Sequence, residues 1–140
     1  MFQIKTSLEP SIKAAKRNIE ILQTQLSNKL NVTWLLAGGS AIKVYDEMND
    51  LLELDVDFTK LNISLGDERY SKDPGHKDAT WPDYENLTLF RELRKRGAKM
   101  FEILSGNSLE KDADRFNDFL NERLKNSDYI FCNLGIGMDS

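Results

Sequence analysis

Residues 32–40 read VTWLLAGGS, a run of apolar and β-favouring residues stopped by two glycines and a serine. Val32, Thr33, Trp34, Leu35 and Leu36 show no polar alternation, which is the pattern of a strand covered on both faces. Strands of that kind occur in parallel sheets, and parallel neighbours need helical crossovers between them. The reading of these nine residues therefore asks for helices on either side in the chain, and both sides supply them.

Upstream, Glu9-Pro10 announces a helix start, since proline is tolerated in a first helical turn. Ile12, Ala15, Ile19, Leu22 and Leu26 follow at three- and four-residue spacing, one apolar face running to about Asn28. Downstream, Ser40 is placed to cap a helix over AIKVYDEMND, with Ile42, Tyr45 and Met48 on a common face. Leu52, Leu54, Val56 and Phe58 alternate with polar or acidic residues and suggest a strand, although LNISLG at 61–66 is the better buried one. A long polar stretch, DERYSKDPGHKDATWPDYEN, then reads as a loop of functional length.

NLTLFRELRKRG is a helix closed by Gly97, and KMFEIL is a strand. Asn107-x-x-Glu110 resembles a capping box for a helix with Leu109, Ala113, Phe116, Leu120 and Leu124 on one side. DYIFCNL is the last strand, in which Cys132 reads as a buried packing residue. Strand and helix alternate throughout, with no internal repeat or linker. The expected architecture is α/β: a single domain over residues 1–140, a Rossmann-like three-layer α/β/α sandwich with a mostly parallel sheet.

The chain carries 19 Lys and Arg against 23 Asp and Glu, a net charge of −4. No basic footprint marks it for nucleic acid or an anionic membrane surface. A single cysteine forms no internal disulfide, and no stretch reaches transmembrane length, so a cytoplasmic setting is expected. One histidine and one cysteine give no metal-ligand cluster, and no metal site is expected.

In a parallel sheet ligands bind beyond the carboxyl ends of the strands. Three segments follow such ends here: Gly38-Gly39-Ser40, Gly66-Asp67-Glu68-Arg69 and Gly135-Ile136-Gly137-Met138-Asp139. The first admits close backbone approach to an anion, or is a plain strand-to-helix turn; its spacing is not that of a Walker A loop. The second offers carboxylates for proton transfer and a guanidinium for phosphate, or is a self-neutralising surface cluster. The third is a weak partial match to Gly-x-Gly-x-x-Gly.

At these segments the chain resembles the 6-phosphogluconolactonase family, within the wider glucosamine-6-phosphate isomerase group. The resemblance rests on Gly38-Gly39-Ser40, on Gly66-Asp67-Glu68-Arg69-Tyr70, on Asn86 downstream, and on Gly135-Ile136-Gly137-Met138-Asp139-Ser140. It implies hydrolysis of 6-phosphoglucono-1,5-lactone to 6-phosphogluconate in the pentose phosphate pathway, without metal or organic cofactor. Asp139 and Asp67 take the catalytic positions. Gly38, Gly39, Ser40, Glu68, Arg69, Asn86, Gly135 and Gly137 take the substrate and phosphate positions. Glucosamine-6-phosphate deamination is the alternative within the group, and the Asp-Glu-Arg-Tyr form favours the lactonase branch.

The departures are specific. Ala41 and Ile42 replace Thr and Pro, Glu85 precedes Asn86 where Ser is usual, and Ser140 stands for Gly. The family's signature histidine would come next, so the chain reads as the N-terminal portion of such a domain, cut one residue short of its base. His76 is the only histidine, in a polar loop. Weak or absent turnover follows, as does a non-catalytic alternative: sugar-phosphate binding, self-association or pairing with a complementing C-terminal chain.

Overall fold

The computed structural model describes residues 8–135. Four strands form one parallel sheet in the order β3-β2-β1-β4: β1 (Val32–Leu36), β2 (Leu61–Leu65), β3 (Lys99–Phe101) and β4 (Tyr129–Cys132). The helices are α1 (Pro10–Ser27), α2 (Ile42–Asp46), α3 (Trp81–Glu85), α4 (Thr88–Lys95) and α5 (Leu109–Asn126). Among the described residues no helix is long and apolar enough to cross a membrane.

The register explains the two faces. Phe131, Trp34, Ile63 and Met100 form one row across the sheet, and side chains alternate faces along each strand. Trp34 stacks on Phe131 at 5.7 Å and meets Tyr45 of α2 edge-on at 5.5 Å. Phe90 of α4 closes the same cluster. Helices α1, α2 and α4 thus share this face, where Leu22, Leu36, Met48, Leu51 and Leu93 are fully buried. The opposite face carries the row Cys132, Leu35, Ser64 and Phe101, and α5 lies against its β3 end. There Phe101 stacks on Phe119 at 4.3 Å, with the Arg115 guanidinium 5.1 Å from its ring centre.

Several expectations are corrected. Residues 52–58 form no strand: 54–57 are an irregular link between two 3₁₀ turns, Asn49–Glu53 and Phe58–Lys60. Their alternation records burial on one side only; Arg96 donates to the Leu52 carbonyl, not a neighbouring strand. Ser40 caps nothing, because it sits inside a 3₁₀ turn, Gly39–Ala41, that precedes a shorter α2. The α5 cap is Ser108, whose hydroxyl accepts the Lys111 amide, and not Asn107. Leu109 and Leu124 of α5 point to solvent, while Asp112 is its buried residue.

Cys132 is exposed rather than packed. Exposure grows along its row from buried Ser64 through half-buried Leu35, because α5 covers the other end. Gly97 closes α4 as read: at φ +98° its amide bonds Arg94 O, and the Ala98 amide bonds Leu93 O. That is a Schellman ending, and a left-handed residue is needed there.

Candidate active site

The parallel strands bring the ends of β1, β2 and β4 to one margin of the sheet. Between them lies an open cleft of about 960 Å³. Gly38, Gly39 and Ser40 form one wall, Gly66 to Arg69 another, and Asn133 to Gly135 a third. Of the residues expected from sequence, Gly38, Gly39, Ser40, Asp67, Glu68, Arg69 and Gly135 are brought together. Gly137 and Asp139 lie outside the described residues. Asn86 is not in the cleft: it follows α3, exposed, and its amide donates to Pro82 O at 3.0 Å.

The walls hold each other by short contacts. The Gly66 amide donates to Leu36 O at 2.9 Å, joining the ends of β1 and β2. Gly39 has φ +63°, a left-handed turn that suits a residue without a Cβ. Gly38 packs so tightly that a Cβ there would stand 3.2 Å from Thr80 Oγ1. Glu68 bridges to the same residue: its carboxylate accepts the Thr80 amide at 2.9 and 3.0 Å and the Trp81 amide at 2.9 Å. It also accepts the Arg69 amide at 3.0 Å. Glu68 is therefore occupied in capping α3, which fixes the second wall against a segment twelve residues on.

Beneath the cleft lies a polar cluster that the sequence did not announce. The indole Nε1 of Trp34 can only donate, so the Asn133 atom 2.8 Å away is its carbonyl oxygen. The same oxygen accepts from Tyr45 Oη at 3.1 Å, and Asn133 Nδ2 donates to Asn18 Oδ1 at 3.0 Å. Tyr45 Oη accepts the Ala37 amide at 2.9 Å, and the Tyr84 hydroxyl donates to the Ala37 carbonyl. Burial pushes both tyrosine pKa values up, with a smaller opposing effect of the Ala37 amide on Tyr45. For Tyr84 the charges of Glu68 and Asp83 add to burial. Both hydroxyls remain protonated and keep the donor roles this network needs.

Sequence reasoning missed further wall residues: Lys77, Asp78, Thr80, Asp83 and Tyr84. They come from the polar 67–86 stretch, whose length was the only signal. Among the described residues the side chains of Arg69 and Lys77 make no ion pair, so two cations face the cleft with donors free. His76 is half-buried outside the wall. Its Nε2 lies 2.9 Å from Arg69 O, and its Nδ1 accepts the Asp78 amide at 3.3 Å, so it folds the loop. Among the described residues no group of three or more His, Cys, Asp or Glu is set to hold a metal ion.

The sequence matches no protein-family model and no curated protein. Solved structures do match in shape. A 6-phosphogluconolactonase from Plasmodium vivax superposes with a TM-score of 0.68 at 20% identity, over 92% of this chain and 46% of that one. The fold is shared with 6-phosphogluconolactonases. A Neisseria gonorrhoeae protein provisionally given the same name matches with a TM-score of 0.57 at 18% identity, over 86% of this chain and 52% of its own. The chain thus spans about half the length of each 6-phosphogluconolactonase-like structure.

Proposed function

We propose that the chain is a member of the 6-phosphogluconolactonase family and that its cleft takes up a phosphorylated sugar lactone, 6-phosphoglucono-1,5-lactone. One observation carries the reading: three segments far apart in sequence, 38–40, 66–69 and 133–135, line one cleft at the carboxyl ends of parallel strands. The shared fold supports it.

In this reading Arg69 and Lys77 hold the phosphate, as unpaired cations favour an anion in a chain of negative net charge. Ser40 and the backbone at Gly38 and Gly39 meet further ligand oxygens. Asp67, exposed at the end of β2, orients the attacking water, and Asp139 shares that task. Glu68 shapes the wall.

The wall contains no imidazole, since the sole histidine is bound to Arg69 O outside it. General-base assistance contributes about 10²–10⁴-fold, so residues 1–140 hydrolyse the lactone slowly or only bind it. A coupled assay on 6-phosphoglucono-1,5-lactone, corrected for spontaneous hydrolysis, tests this. Slow turnover that falls further in Asp67→Asn, or binding without turnover, supports the reading. Neither turnover nor binding of the lactone or its product overturns it.

A further inference from the structure

A second pocket, of about 280 Å³, lies between α3, α4 and the edge strand β3. Its floor is aromatic and apolar: Trp81, Tyr84, Phe90 and Met100. Only Tyr84 belongs also to the cleft described above.

Two features set this pocket apart from a packing defect. The first is an orphan. Trp81 is 4% exposed, and its indole Nε1 is the buried side-chain donor with no hydrogen-bond partner among the described residues. A buried N–H without an acceptor is costly, and native structures rarely leave one so. The second is the charge of the rim. Arg91, Arg94 and Lys95 stand there against the single carboxylate of Glu85. Arg94 pairs with Glu85 at 3.3 Å and Lys95 with Glu92 at 2.9 Å, both largely exposed pairs of little strength. Arg91 makes no ion pair among the described residues.

We propose that this pocket is a binding site for a small aromatic carboxylate. The volume is near the lower end for ligand pockets, room for one ring and a short chain. The ring lies among Tyr84, Phe90 and Met100, and the carboxylate meets the Arg91 guanidinium. Charge complementarity selects an anion, and the apolar floor selects against inorganic phosphate or a bare sugar phosphate. The site is independent of the sugar-phosphate reading, because its distinguishing residues are absent from the cleft.

The test is a titration of the 140-residue chain with 3-phenylpropionate, followed by backbone and indole amide chemical shifts. Saturable shifts at Trp81, Glu85, Arg91 and Met100 are expected, with a Kd of about 1 mM or below at low salt. The neutral isostere 3-phenylpropanamide should bind at least about tenfold more weakly, and Arg91→Ala should weaken the acid by a similar factor. Arg91 is exposed, so the variant's unperturbed spectrum verifies its fold. No saturable shift up to about 10 mM, equal binding of acid and amide, or shifts confined to Gly38, Arg69 and Gly135 would each overturn the proposal.

Discussion

The side-chain oxygen of Asn133, at the end of β4, accepts the indole N–H of Trp34, in the middle of β1, at 2.8 Å. Tyr45 and Asn18 complete the set, so one amide ties α1, α2, β1 and the last loop together. Replacing it by leucine keeps the volume and strands two buried donors. Unsatisfied buried groups cost about 1–3 kcal/mol each, and partial relaxation brings the expected loss for Asn133→Leu to about 2–4 kcal/mol. Urea unfolding followed by Trp fluorescence measures it. A loss below about 0.5 kcal/mol, the ordinary surface value, would show that the cluster is not a structural hub.

Glu68 makes a separable prediction. Its carboxylate caps the Thr80 and Trp81 amides, so Glu68→Ala should destabilise the chain by about 1–2 kcal/mol. Glu68→Gln retains one acceptor and should lose less. Amide exchange should quicken at Thr80 and Trp81 in the alanine variant and hold steady across the β1–β2 ladder. Equal exchange in wild type and alanine variant would contradict the capping role.

The acid limb of stability has a named contributor in Asp112. Burial raises its pKa, but the Ser105 hydroxyl and amide and the Arg115 guanidinium outweigh that and hold it below the usual carboxylate value. A carboxyl whose folded pKa is depressed stabilises fully above its unfolded value, about 4, and loses that contribution as pH falls through the lower folded value. Between about pH 6 and pH 2, Asp112→Asn should therefore show a shallower decline in unfolding free energy than wild type. Parallel declines would exclude Asp112 as the source.

What the sequence revealed depended on how local each signal was. β1 and β2 were readable because burial on both faces leaves an uninterrupted apolar run. Gly97 was readable because a helix end needing φ > 0 leaves a glycine behind. Residues 52–58 misled because one-sided burial produces the same alternation in an irregular segment between 3₁₀ turns as in a strand. The inward face of α5 misled because Asp112 looks like a surface charge until Ser105 and Arg115 are brought to it. Asn133 was hidden in an apolar run, and its partners lie 88 to 115 residues away. For the candidate cleft, Gly38 to Ser40, Gly66 to Arg69 and Gly135 were legible as punctuation after strands. Lys77, Asp83 and Tyr84 were not, because a folded-back loop places them.

Recognition of a phosphorylated sugar acid by the cleft is tested by titration with 6-phosphogluconate under amide chemical-shift observation. Saturable shifts are expected at Gly38, Ser40, Arg69 and Gly135, with gluconate and the Arg69→Ala variant each at least about tenfold weaker. Shifts absent from those residues, or gluconate binding as tightly as its phosphate ester, would contradict it.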